Sequence, residues 1–236
     1  MLTIRSAEKF LKTEGKALKR DLMMKSNERC MHRHTKEEHP SCFKKGAVDR
    51  LLWYKNMKIG FLDIETSDFK ANRGFMLSWA IKEASGDIAY DVITRADIFS
   101  YDFDKRITKT LVDEMNKYDI LVTYYGTGFD IPFTRTRALI QKFGREFPVY
   151  GQVYHFDVYY RVRNLFKLTR NSLDAATHAF DIDGKTHLDL NIWTKAAYGH
   201  KQSLDYIVDH NLEDVRILEE LFEIIKPYSK WAKRSL

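Results

Sequence analysis

Met57-Lys-Ile-Gly-Phe-Leu-Asp-Ile-Glu65 is the stretch whose reading decides the fold. Ile59, Phe61 and Leu62 lead into Asp63 and Glu65, an apolar run that ends in acids and reads as a buried strand of an α/β protein. Residues two apart on a strand project to the same face, so both carboxylates point one way. They fall at the C-terminal end of the strand, where ligand crevices form in open α/β sheets. Two carboxylates placed there repel each other and raise their own pKa values unless a cation lies between them. Taken alone, the segment is a weak signal, and a solvated strand end before a turn at Thr66–Asp68 is its alternative reading.

Working outward, Gly74 to Thr94 reads as two strands joined by a Ser85-Gly-Asp87 turn. Asp104 to Tyr118 carries Ile107, Leu111 and Met115 at steps of four, which predicts a helix with an acidic N-cap. Asp119 to Gly126 is a second buried strand. A helix follows from Asp130 to Phe143, with Pro132 tolerated in its first turn. Val153 to Tyr160 starts extended, and helical segments follow around residues 172–180 and 189–197. The last strong element is Ser203 to Ile225, with Leu204, Ile207, Val208, Leu212, Val215, Leu218, Leu221 and Phe222 on one face and Pro227 as its stop. Strand, hairpin, helix, strand, helices is an α/β plan with a mixed sheet.

Two further acidic segments then stand out. Gly128-Phe-Asp-Ile-Pro-Phe133 offers Asp130 at a helix start after a buried strand, a place where an acid is often only a first-turn charge. His210-Asn-Leu-Glu-Asp-Val215 places His210 and Asp214 at i and i+4, on one helical face. Each segment is ambiguous by itself; their conjunction is what points to a metal site.

Taken together and in order, LDIET, YYGTGFDIPF and HNLEDV resemble the three exonuclease motifs of the DEDD superfamily of 3′–5′ exonucleases. The resemblance is strongest to the proofreading domain of family-B DNA polymerases and its free-standing ribonuclease H-like relatives, and it runs from about Met57 to Lys226. It implies a ribonuclease H-like three-layer fold around a central mixed sheet. It implies that Asp63 bridges two metals, that Glu65 and Asp214 complete one shell, and that Asp130 holds the other ion through water. Such a metal pair activates the attacking water and stabilises the leaving oxygen. Carboxylate ligation favours two Mg²⁺ or Mn²⁺ ions.

The chain departs from the family at two places. Four residues before the last Asp the polymerase-like branch usually has Tyr, and here stands His210. The other branch has a His, but five residues before the Asp. His210 is therefore the expected general base or water-orienting group, with Tyr206, one turn upstream, as its substitute. Tyr125 stands where the family often has Asn. Thr66, Tyr125 and Phe129 are the expected substrate contacts, with Phe129 stacking on or wedging a terminal base or else packing in the core; Tyr124 is similarly ambiguous.

The N-terminal region differs in kind. Residues 1–50 hold 13 Lys/Arg against 7 Asp/Glu, while residues 51–236 hold 26 of each. The whole net charge of +6 thus lies in the first fifty residues. A basic arm on a neutral body suits a nucleic-acid partner, although a charged, solvated helix over residues 6–25 has the same pattern. Cys30, His32, His34, His39 and Cys42 lie within thirteen residues and include both cysteines of the chain. Their spacing suits a structural Zn²⁺ knuckle held by Cys30, His32, His39 and Cys42, with His34 in reserve; a His-rich linker is the alternative.

With 44% apolar and 31% charged residues, the composition is that of an ordinary globular protein. No apolar run reaches membrane-spanning length and no secretory signal is recognisable. Two cysteines are no disulfide framework, so a reducing, cytoplasmic location is expected. The expected organisation is an N-terminal extension over 1–50 and a ribonuclease H-like exonuclease domain over 51–236. The expected activity is two-metal 3′–5′ hydrolysis of DNA or RNA from a 3′ end. A structure-selective endonuclease on the same site, or a non-catalytic nucleic-acid-binding protein that kept the fold, are the alternatives.

Overall fold

The computed structural model describes residues 57–84, 86–183 and 189–229. The N-terminal arm, its expected helix, and Cys30, His32, His34, His39 and Cys42 lie outside the described residues.

Five strands form one sheet: β1 (Ile59–Thr66), β2 (Met76–Glu83), β3 (Ile88–Val92), β4 (Ile120–Thr123) and β5 (Tyr154–Asp157). Their order is β3-β2-β1-β4-β5, with β1 antiparallel to β2 and parallel to β4, and β5 parallel to β4. The sheet is mixed, as the element order predicts. Helices α1 (Arg95–Ile98), α2 (Lys105–Met115), α3 (Asp130–Ile140), α4 (Val158–Leu165), α5 (Leu173–Ala179), α6 (Leu190–Ala197) and α7 (Lys201–Ile225) connect and flank it.

The two faces of β1 explain the layers. Leu62 and Ile64 join a buried cluster with Leu111 and Met115 of α2 and Phe133 of α3. Phe61 points to the opposite face and meets Phe222 of α7 edge-on, with ring centroids 5.4 Å apart. Asp63 and Glu65 share the face of Phe61, so α7 covers them as well. Residues on both faces of one strand are thus buried, as expected of a central strand flanked by helices.

Register decides where the strand opens. Pairing between β1 and β4 covers Ile59 to Phe61, whereas β2 continues beside β1 with Asp63 opposite Ala80 and Glu65 opposite Ser78. The carboxylate end of β1 therefore runs past its parallel neighbour, and a register irregularity at Glu65/Thr66 breaks the ladder there.

Some local expectations need correction. Asp104 does occupy the N-cap position of α2, but its side chain caps nothing there. The carboxylate is fully buried and accepts from Arg137 Nη2 at 2.5 Å, Arg137 Nε at 2.8 Å and the Met76 amide at 2.9 Å. An ion pair with its remaining lone pairs filled tolerates that burial. β4 stops at Thr123 rather than reaching Gly126, because Tyr125 adopts φ +66° and the Gly126 amide donates to Thr123 Oγ1. α3 ends at Ile140, ahead of Lys142 at φ +68°. A further element, α1, is too short to show an apolar period; a Thr94–Asp97 capping box holds its four residues. Among the described residues no helix is long and apolar enough to cross a membrane.

Candidate active site

Three elements deliver the carboxylates. β1 carries Asp63 and Glu65 past the end of β4. The Tyr124–Phe129 loop then turns back and starts α3 at Asp130, whose carboxylate takes hydrogen bonds from its own amide and from the amide of Ile64. Asp130 is thereby tied to β1 next to Asp63, and it is 3% exposed. The first-turn placement predicted from sequence is correct, and the acid is buried there.

α7 closes the site from the other side. Asn211 Nδ2 donates to Asp63 Oδ2 at 2.6 Å, and Ser78 Oγ of β2 donates to Asn211 Oδ1 at 3.2 Å. Beside it on the helix, the Nε2 atom of His210 stands 3.7 Å from Glu65 Oε1 and 3.6 Å from Asp214 Oδ2. Ligand atoms of Glu65, His210 and Asp214 all lie within 4.8 Å of one another. The indole of Trp193, on α6, packs edge-on against the His210 ring, with centroids 5.7 Å apart.

The electrostatics follow from this crowding. Burial pushes Asp63 well above the ordinary carboxylate range, and the charges of Glu65, Asp130 and Asp214 push the same way, opposed by the Asn211 amide. Asp130 is raised to about 7, chiefly by burial, against the pull of its two amide donors and with a further push from Asp157. Four crowded acids, joined by one imidazole, form a donor set suited to divalent cations.

The structure thus brings Asp63, Glu65, Asp130, His210 and Asp214 together. The substrate-contact candidates sit differently. Thr66 is buried and its hydroxyl donates to the Asp68 carbonyl at 3.0 Å. Phe129 lies between Phe133 and the exposed Phe69, with centroids 5.6 and 6.1 Å away. Tyr125 is exposed at its strained φ, with its ring edge-on to Tyr159 at 4.8 Å. Tyr124 instead donates to the Asn171 carbonyl at 2.6 Å. Tyr206 lies half-buried, one turn before His210.

Sequence reasoning missed Asn211 and Asp157. Asp157 ends β5, and its carboxylate accepts from the amides of Tyr125 and Thr127 at 2.9 Å each and of Tyr159 at 3.1 Å. It fixes both the loop that leads to Asp130 and the start of α4. The signal was available: Asp157 is the one acid in the run VYHFDVYY, at the end of a strand parallel to β4.

A family model described as RNase_H superfamily matches residues 60–226. Among curated proteins, the chain is 25% identical over 155 residues to a DNA polymerase of Methanocaldococcus jannaschii, covering 55% of this chain. It is 26% identical over 195 residues to a DNA polymerase of Thermococcus litoralis, covering 71% of this chain. The matches span only 9% and 11% of those polymerases. Among solved structures, the family B DNA polymerase of Pyrobaculum calidifontis superposes with a TM-score of 0.58 at 18% identity, over 73% of this chain and 25% of that one; that likeness speaks to the fold. With the five-stranded mixed sheet and the family match over most of its length, the chain belongs to the RNase H superfamily.

Proposed function

We propose that this protein is a 3′–5′ exonuclease that hydrolyses phosphodiester bonds of DNA or RNA with two divalent ions. The superfamily and the polymerase relatives suggest a nuclease acting on nucleic acid. The observation that carries the finer reading is the convergence of Asp63, Glu65, Asp130 and Asp214, from three elements, at the open end of β1.

Asp63, which feels the charge of all three other acids, would serve both ions; Glu65 and Asp214 would hold one and Asp130 the other. Bound there, Mg²⁺ or Mn²⁺ supplies a nucleophilic hydroxide and a counter-charge to the leaving oxygen. The protein's own work is placement. Asn211 turns one oxygen of Asp63 and leaves the other for a ligand. Asp157 holds the backbone from which Asp130 projects. Phe129, backed by Phe133 and Phe69, offers an aromatic surface beside Asp130 on which a terminal base can stack. A basic N-terminal arm would add phosphate contacts.

Digestion of 3′-labelled and 5′-labelled DNA and RNA, in Mg²⁺ or Mn²⁺, tests the proposal. Mononucleotides released first from the 3′ end, and a loss of at least about a hundredfold for Asp63→Ala, are expected. Equal activity of wild type and variant would sink it. Cleavage of a circular single strand, which has no 3′ end, would point to an endonuclease instead.

A further inference from the structure

His210 is not needed by a carboxylate-only reading, yet it lies inside the site and not at its rim. It is 3% exposed, and its Nε2 faces Glu65 and Asp214 together at 3.7 and 3.6 Å. Both separations exceed the ~2.7–3.2 Å of a good N–H···O hydrogen bond. Donors bound at ~2.1 Å to one ion stand roughly 3–3.4 Å apart in octahedral or tetrahedral shells. Closing each of the two His210 separations onto one ion therefore needs only a few tenths of an ångström, and all three ligand atoms lie within 4.8 Å of one another. Trp193 walls the other side of the ring at 5.7 Å and keeps its edge toward the two carboxylates.

We propose that His210 is a direct metal ligand, and that Glu65, His210 and Asp214 form a mixed nitrogen–oxygen site that prefers a transition-metal dication such as Mn²⁺ to Mg²⁺. The proposal rests on the two-metal reading above and deepens it. An imidazole in the shell moves affinity along the first-row series, while Mg²⁺ favours oxygen donors and dehydrates reluctantly. Asp63 and Asp130 remain an all-oxygen pair. The two halves of the site then differ in the ion they select, and His210 is held in the shell, where it is not available as a mobile proton acceptor.

The test uses the full chain stripped with EDTA and loaded with Mn²⁺, read by electron spin echo envelope modulation. Wild type should show nitrogen coupling to bound Mn²⁺, and labelling with ¹⁵N-histidine should change its frequency. His210→Asn and His210→Tyr should lose the coupling and bind Mn²⁺ roughly tenfold or more weakly, with a much smaller change for Mg²⁺. Replacing His32, His34 and His39 with Gln should leave the coupling in place, which excludes those three as its source, while the wild-type spectrum stays decisive even if the His210 variants unfold. Bound Mn²⁺ without nitrogen coupling, coupling that survives both His210 variants, or coupling lost on replacing the N-terminal histidines would each overturn the proposal. Nuclease activity measured in parallel separates the two readings. Activity without coupling removes only the ligand role of His210; coupling without activity removes the exonuclease and leaves the metal site.

Discussion

At the scale of single residues, the acids of this site are held against their own chemistry. Asp130 is raised to about 7, so below that pH it binds a proton in the folded metal-free protein that the unfolded chain, with an ordinary aspartate near 3.8, has released. Between those two values the folded state holds more protons, and stability must fall as pH rises. Asp63, raised in the same sense, adds to the slope. The metal-free protein should therefore melt at a higher temperature at pH 5 than at pH 8, and Mn²⁺ should raise the melting temperature more at pH 8. A scan in EDTA and in Mn²⁺ at both values checks this; a metal shift larger at pH 5 would contradict it. Asn211 is the next residue to probe. Its amide favours ionised Asp63, so Asn211→Ala should push Asp63 higher still and move the acidic limb of the kcat–pH profile upward. A fall in kcat of roughly tenfold to a hundredfold, with KM for the nucleic acid nearly unchanged, is expected. An unshifted profile would reduce Asn211 to a packing residue.

At the scale of elements, legibility tracks periodicity. α2 and α7 are readable because their buried faces impose steps of three or four on their apolar residues, and the hairpin because two apolar runs flank a Ser85-Gly-Asp87 turn. The sequence makes β4 too long because Tyr124 and Tyr125 continue an apolar run, while Tyr125, at φ +66°, donates its amide to Asp157 at the end of the neighbouring strand, 32 residues on. The four carboxylates are legible as three acidic segments; Asn211 is not, since an Asn on a helix face carries no pattern until the strand beside it is known. Asp104 shows the same limit. Its position at a helix start is plain, but its partner Arg137 lies on α3, 33 residues on. Arg137→Met leaves that fully buried acid without its cation, which costs about 3–5 kcal/mol. Chemical denaturation should show the destabilisation, with little change in metal affinity; an effect under about 1 kcal/mol, on the scale of an exposed pair, would mean that Asp104 finds other partners.

At the scale of the whole chain, charge and site are apportioned to different stretches. Residues 51–236 are neutral by count, and the excess of +6 belongs to residues 1–50. Deleting residues 1–50 should weaken binding to single-stranded nucleic acid and flatten its salt dependence by about 0.7 in slope for each phosphate that the arm neutralises. An unchanged slope, measured by fluorescence anisotropy across a salt series, would remove the arm from the binding surface. The proposed site depends instead on α7. Its 25 residues place Phe222 against Phe61 near one end and Asn211, His210 and Asp214 beside Asp63 and Glu65 at the middle. A single rigid rod that both plugs the interior and completes the chemistry ties function to cooperative melting. Heat inactivation should coincide with global unfolding, without a folded but inert intermediate, and the α7 amides should be among the last to exchange with deuterated solvent.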